Sequence, residues 1–327
     1  MEAILLKKAG SADELYIGET QMPVISPEEI LVEVRAAGIN RADILQREGH
    51  YPPPPGSSQV LGLEVAGKVV EIGSKVSRWK PGDRVFGLLA GGGYAQYAAI
   101  HTDMAMPIPE TMHYHQAAAI PEVFLTAFQS LFWLGKIHEQ DHVLIHGGAS
   151  GVGTAAIQLA RSKGAHVIVT ASSGKHELCL SLGASHAIDY KKGPFVEEVK
   201  SYTQGNGVNL ILDPIGGNYF PQNLKAMQPD GRLVVLSVMG GYKLPEVDLR
   251  SIIFKRLEII GSTLRSRSLN YQIALTKDFL EIFEDKIHSG VIHPVIDSVF
   301  DWQEAAKAHR YMEANLSAGK LILKINS

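Results

Sequence analysis

The stretch His142-Val-Leu-Ile-His146-Gly147-Gly148-Ala149-Ser150-Gly151-Val152-Gly153, continued by Thr154-Ala-Ala-Ile-Gln-Leu-Ala160, decides the fold. A Val/Leu/Ile run enters a glycine-rich turn and leaves it as an amphipathic helix. Gly148 and Gly153 occupy the first and third positions of G-x-G-x-x-G, and Ser150 replaces the second. The first glycine makes the tight turn, and the third lets the helix pack on the strand. Ser150 is small enough for close backbone approach, and its hydroxyl can bond a phosphate oxygen. Gly151 and Val152 open the helix, whose N-terminus offers N–H groups and a positive dipole end to a pyrophosphate. A lone glycine turn merely connects two elements, so the surrounding pattern carries the assignment.

That pattern alternates strand and helix. Strands are expected at His142 to His146, His166 to Ala171, His186 to Tyr190, Val208 to Asp213, Arg232 to Val238 and Leu257 to Ser262. Helical spacing lies between the first few, at Thr154 to Lys163 and Lys175 to Leu182, and precedes them from Ala117 to Leu134. Val/Ile/Leu-rich strands joined by crossover helices specify an α/β fold with a doubly wound parallel sheet. The first third differs. Ile30 to Arg35, Leu63 to Ile72 and Asp83 to Gly87 read as short strands, separated by Pro52 to Pro55, Pro81 and Gly91 to Gly93. Such a run predicts a β-rich, partly open barrel. Beyond Arg265 come a helix (Thr276 to Ile287), a strand (Val295 to Phe300), a helix (Trp302 to Ala314) and a strand (Lys320 to Ile325). This tail breaks the βαβ series and is expected to rejoin the first domain. The expected division is therefore 1–122 with 267–327, and 123–266.

Composition excludes several classes. The 327 residues carry 34 acidic and 31 basic side chains, a formal charge of −3, with 45% hydrophobic and 20% charged residues. Near-neutral charge without a basic run argues against nucleic-acid binding. The one cysteine, Cys179, rules out an internal disulfide and a cysteine-based zinc cluster. The apolar run Ala3 to Leu6 stops at Lys7 and is too short for a signal peptide, and no stretch reaches the roughly 18 apolar residues a bilayer span needs. A soluble, cytoplasmic protein with no membrane partner is expected.

The second strand separates the two nicotinamide cofactors. NAD-binding chains place Asp or Glu at its end to hold the ribose 2′-hydroxyl. Here it ends in Thr170-Ala171-Ser172-Ser173-Gly174-Lys175. Two hydroxyls and a cation suit a 2′-phosphate, with Tyr190 closing over the adenosine end, and NADPH is the expected cofactor. The same residues also read as a helix N-cap and a solvated first turn.

Further motifs stand in order: Asn40-Arg-Ala-Asp43, Gly49-His-Tyr51-Pro-Pro, Leu61-Gly-Leu-Glu64-Val-Ala-Gly67, Lys80-Pro-Gly-Asp-Arg-Val85, Gly93-Tyr-Ala-Gln-Tyr97, Ala118-Ala-Ile-Pro121 and Gly261-Ser-Thr-Leu-Arg-Ser-Arg267. With the Gly147 to Gly153 turn, they resemble the zeta-crystallin-like quinone oxidoreductase branch of the medium-chain dehydrogenases/reductases across essentially the whole chain. The resemblance implies a GroES-like catalytic domain, a Rossmann domain and a homodimer, in which the apolar edge strand Leu257 to Ser262 pairs with its copy. Zinc-dependent relatives carry a Cys near Gly38-Ile39-Asn40 and a His before Glu64. This chain has Asn40 and Leu63 there, so zinc independence is expected. Pro214 after Asp213, and Ser172 in place of a frequent glycine, are small departures from the family.

The resemblance places Asn40 and Tyr51 beside nicotinamide and substrate. Asn40 is expected to anchor by hydrogen bonds, and Tyr51 to orient the substrate. Equally, Asn40 reads as the cap of a helix over Arg41 to Gln46, and Tyr51 as a turn residue before four prolines. Glu64 reads as a buried carboxylate and receives no role. Thr126, in the helix between the domains, carries over as a contact on the nicotinamide phosphate side, and Gly216, Met239, Gly240, Thr263 and Leu264 carry over as cofactor contacts at strand carboxyl ends. The implied reaction is NADPH-dependent reduction of quinones by direct hydride transfer. Reduction of an enone, alkenal or enoyl thioester is the alternative enzyme, and a nonenzymatic NADPH-binding or RNA-binding protein the alternative outside enzymes.

Overall fold

The computed structural model describes residues 1–244 and 247–325. In chain order the strands are β1 (Glu2–Leu6), β2 (Leu15–Glu19), β3 (Glu29–Ile39), β4 (Glu64–Ile72), β5 (Arg84–Leu88), β6 (Tyr97–His101) and β7 (Ala105–Pro107). They continue as β8 (His142–His146), β9 (His166–Ala171), β10 (His186–Asp189), β11 (Val208–Asp213), β12 (Met227–Val235), β13 (Glu258–Gly261), β14 (Ile296–Asp301) and β15 (Lys320–Lys324). The helices are α1 (Arg41–Arg47), α2 (Tyr114–Ala117), α3 (Pro121–Phe128), α4 (Gly151–Ser162), α5 (His176–Ser181), α6 (Val196–Tyr202), α7 (Tyr219–Ala226), α8 (Arg250–Lys255), α9 (Leu269–His288) and α10 (Ala305–Glu313). The chain divides into two units, Met1–Leu125 with Arg265–Ser327, and Thr126–Leu264.

The second unit is a six-stranded parallel sheet in the order β10-β9-β8-β11-β12-β13. Relative to β8 as the first strand this is the 3-2-1-4-5-6 order of a doubly wound fold, with its switch point between β8 and β11. The expected α/β Rossmann class is borne out. Ile168, Ile211 and Leu233 along the strands meet Phe195, Val199 and Leu224 from α6, α7 and the segment before α6, all buried. The β12 strand differs from expectation. It begins at Met227, slips register against β11 before Arg232, and stops at Val235, so residues 236–238 are loop.

The first unit holds a mixed sheet in the order β14-β15-β3-β4-β5-β7, with β6 also on β3. The 11-residue β3 makes this branch possible. Its first half (Glu29 to Glu33) pairs with β6, its last four residues (Ala36 to Ile39) pair with β15, and β4 runs along its other side. The C-terminal tail thus returns to the first unit as expected, and the β-rich GroES-like class is borne out.

The helical run before β8 is not one regular helix. Tyr114–Ala117 and Pro121–Phe128 are α-helical, and Gln129–Leu134 continues as a π-helix closed by the bond from Gly135 N–H to Ser130 O. By length and composition residues 114–134 are long and apolar enough to cross a bilayer, which corrects the sequence reading. Yet 72% of the most apolar window is buried inside the protein, as in a core helix.

Candidate active site

In the first unit the site grows from the junction of β3, β4 and β15. Pairing Leu321 with Ile39 brings Lys320 against Asn40, just beyond the end of β3. The Lys320 ammonium donates to Ile39 O at 2.8 Å and to Asn40 Oδ1 at 2.7 Å, and forms an ion pair with Glu64 Oε1 at 2.6 Å. All three of its N–H donors are satisfied. Glu64 is fully buried; its Oε1 also accepts from Asn40 Nδ2 at 2.9 Å, and its Oε2 accepts from the Glu122 backbone N–H at 2.8 Å. An ammonium only donates and a carboxylate only accepts, so the orientation of the Asn40 amide is forced. A side chain at Gly38 would put its Cβ 2.1 Å from Glu64 Oε1, which is why glycine precedes Ile39-Asn40.

Asn40 is the N-cap of α1, in a capping box with Asp43, and its amide also belongs to the ion pair. Asp43 reaches back, its Oδ2 accepting from the Asn40 N–H at 2.8 Å. Asp43 is wholly buried and also accepts from Gly62 N–H and from the Tyr94 hydroxyl at 3.1 Å. Burial raises its carboxyl to about 6 against these hydrogen bonds and Lys320. Behind Tyr94 stand His309 at 3.2 Å and the buried Arg47. Because Arg47 can only donate to His309 Nδ1, Nε2 carries the ring proton and Tyr94 passes its own to Asp43. Burial beside Arg47 pushes His309 down to about 3, so the imidazole is neutral.

Tyr51 is half-buried, with the Arg265 guanidinium 5.6 Å from its ring centre, a cation–π contact. Burial raises the Tyr51 hydroxyl above its usual range, and Glu122 adds to the effect. Arg265 is 5% exposed; its Nε donates to Ala90 O at 2.8 Å, while both terminal nitrogens are buried without a hydrogen-bond partner.

In the second unit the glycine turn has the geometry of a phosphate cradle. Ser150 caps α4, its Oγ accepting from Gly153 N–H at 3.0 Å, which leaves its O–H to donate. A Cβ at Gly153 would stand 2.3 Å from Gly147 O, so only glycine lets the helix start so close to the turn. The turn is tied to its neighbours through His146. Its Nδ1 lies 3.0 Å from Thr170 Oγ1 and its Nε2 2.8 Å from Asn223 Oδ1; Asn223 in turn donates to Asp213 Oδ2. Asp213 Oδ1 accepts from Ile215 and Gly216 N–H, fixing the loop after β11. Burial lowers the His146 pKa, so the ring is neutral. Ser172, Ser173 and Lys175 lie at the end of β9, Ser173 exposed and the other two half-buried, and Tyr190 follows β10 at 43% exposure. Gly216, Met239 and Gly240 meet where Gly240 N–H donates to Ile215 O at 2.7 Å. Thr263 and Leu264 follow β13, and Gln129 Nε2 contacts Thr263 O at 3.5 Å; Thr126 O accepts from Ser130 Oγ.

Residues 26–110 match the alcohol dehydrogenase GroES-like domain, and residues 151–279 match the zinc-binding dehydrogenase family. The quinone oxidoreductase of Mus musculus is 32% identical over 330 residues, covering 99% of this chain and 97% of that protein. The chain belongs to the quinone oxidoreductase-like medium-chain dehydrogenases/reductases. Among solved structures, the Escherichia coli quinone oxidoreductase complexed with NADPH superposes with a TM-score of 0.89 at 30% identity, covering 99% of this chain and 100% of that one. CurK enoyl reductase superposes with a TM-score of 0.88 at 30% identity, covering 99% of each chain.

Among the described residues no group of three or more His, Cys, Asp or Glu side chains is placed to hold a metal ion. The first unit's Glu64 is already saturated by Lys320 and Asn40, and Leu63 is buried and apolar. These residues do not fit zinc. The glycine cradle does fit a dinucleotide, and the family binds a nicotinamide cofactor.

The sequence does not reveal Lys320, Glu122 or the His146 network, and it shows Glu64 as a buried carboxylate without its partners. A lysine opening a strand reads as solvent-facing, and His146 reads as packing. The one usable signal was Gly38, whose missing side chain marks a close approach.

Lys320→Met leaves the Glu64 carboxylate buried without its cation, and urea unfolding should show a loss of about 3–5 kcal/mol. Adding Glu64→Gln should recover most of it. A single variant as stable as wild type would show that the pair contributes nothing.

Proposed function

We propose that this chain is an NADPH-dependent quinone reductase that works without a metal. The observation that carries the reading is the saturated Asn40–Glu64–Lys320 group: its carboxylate and ammonium are bound to each other and to Asn40, and neither is available to deprotonate an alcohol. A substrate that is already a strong electrophile needs neither. When bound, the reduced nicotinamide supplies a hydride. The Gly148 to Gly153 turn, with Ser150, Gly151 and Val152 at the start of α4, cradles the pyrophosphate. Ser172, Ser173 and Lys175 take the 2′-phosphate, and Tyr190 covers the adenosine end. Thr126, Gly216, Met239, Gly240, Thr263 and Leu264 hold the nicotinamide half. Asn40 keeps one amide hydrogen for cofactor or substrate, and Tyr51 orients the quinone. Positioning supplies most of the catalysis. The outer edge of β13, last in the sheet order, is the surface through which two copies pair in this reading. Likeness to CurK enoyl reductase favours a second reading, reduction of an enone or enoyl thioester by the same hydride.

NADPH should bind more tightly than NADH, and Lys175→Ala should narrow the gap by about tenfold or more, since a charge-assisted phosphate contact is worth roughly 1.5–3 kcal/mol. Equal titration curves for the two cofactors in wild type would refute the assignment.

Steady-state NADPH oxidation with quinones, alkenals and enoyl thioesters side by side tests the substrate class. Tyr51→Phe should lower kcat/KM for quinone by roughly 0.5–3 kcal/mol. A drop near the ~10²–10⁴-fold of a general acid, worst for alkenals, would favour the second reading.

Turnover should survive prolonged chelation, and elemental analysis should find no stoichiometric zinc. Bound zinc whose removal abolishes turnover would contradict the metal-free mechanism.

A further inference from the structure

Two-electron reduction of a quinone or enone needs a proton as well as a hydride. The Tyr51 hydroxyl is a poor source, because burial and the neighbouring Glu122 hold its proton more tightly than usual. The first unit contains another acid. Glu122, in the first turn of α3, gives its backbone N–H to Glu64, but its own Oε2 is enclosed and has no hydrogen-bond partner. The charged groups around it are Glu64 on β4, Asp43 on α1, Lys320 on β15 and Arg265, with Tyr51 also within electrostatic reach. Three carboxyls thus share this region with one ammonium, and Lys320 is wholly committed to Glu64, Asn40 and Ile39. The two terminal nitrogens of Arg265 make no bond to Glu122, or to any other partner. Glu122 is half-buried, and an ionised carboxylate with one oxygen enclosed and unpartnered beside two other carboxyls carries a desolvation penalty that a neutral carboxyl avoids.

We propose that Glu122 holds, as a neutral carboxylic acid, the proton that the reduction requires and delivers it to the reduced substrate beside Tyr51. The inference rests on the proposed reductase function. The balance is simple. The substrate gains two electrons and one hydrogen as hydride from the reduced nicotinamide. It gains the second hydrogen when the Glu122 O–H bond breaks and an O–H bond forms on the quinol, or a C–H bond on the enolate carbon. The carboxylate left behind is favoured electrostatically by the Arg265 guanidinium and is reprotonated from solvent. Burial and Glu64 raise the Glu122 carboxyl to about 8, so at neutral pH it still carries its proton.

The test is Glu122→Gln, which keeps the shape and removes the titration. Wild-type kcat/KM should fall as pH rises past about 8, the value to which the carboxyl is raised. The variant should be slower at pH 7 by about a hundredfold and lose that alkaline limb. A variant that retains the wild-type limb, whatever its rate, overturns the proposal. A second readout needs no substrate. A native pKa above the ordinary 4.5 means the folded chain holds a proton that the unfolded chain releases, so this group's stabilisation is full at low pH and lost as pH rises through about 8. The wild-type melting temperature should therefore decline relative to Glu122→Gln between those two values, and parallel curves overturn the proposal. Wild type that reduces no quinone, alkenal or enoyl thioester overturns the reductase reading itself, whatever the melting curves show.

Discussion

The ammonium of Lys320 makes the first unit possible in its present form. Glu64 is fully buried, and an ionised carboxylate in that position is tolerable only if its charge is matched and its lone pairs are filled. Lys320 matches the charge, while Asn40 and the Glu122 N–H fill the remaining positions. The contact exists because β15 pairs antiparallel with the end of β3 and β4 runs along its other side, so three strands distant in sequence converge on one point. Gly38 leaves the room for it. The sheet and the site are one construction.

The second unit also holds a buried carboxyl, but with N–H donors rather than a cation. Its turn after β8 and its loop after β11 flank the switch point of the sheet, where ligands of open α/β sheets bind. His146, Asn223 and Asp213 join the two in a chain of hydrogen bonds that ends on the N–H groups of Ile215 and Gly216. A neutral imidazole can donate at one nitrogen and accept at the other, and it does so here between Asn223 and Thr170. The arrangement fixes the backbone amides without placing a net positive charge beneath the turn.

The distribution of charge also shapes the chemistry. In the first unit the ammonium is saturated, His309 is neutral and Glu122 has no cation in contact. Charge in this region is therefore set by which carboxyls have a cation within reach and which do not.

Much of this protein was legible in the chain alone. The period of the apolar residues and the Gly148 to Gly153 turn determined the doubly wound sheet, because parallel strands buried on both faces must read as Val/Ile/Leu runs joined by helices. The missing acid after β9 spoke to the cofactor, and the motifs at Asn40, Tyr51 and Glu64 spoke to the family. Tertiary structure alone decided what those residues touch. Asn40 read as a helix cap and is one, but its amide is also bound to Glu64 and Lys320, which the chain alone did not show. Lys320 opens its strand in a buried position, against the ordinary rule for lysine, and lies 256 positions from Glu64 in the chain. Glu122 drew no notice, since a glutamate in a helix's first turn is commonplace. Strand register creates neighbours without regard to sequence distance, and desolvation then gives each buried charge a meaning that depends on those neighbours.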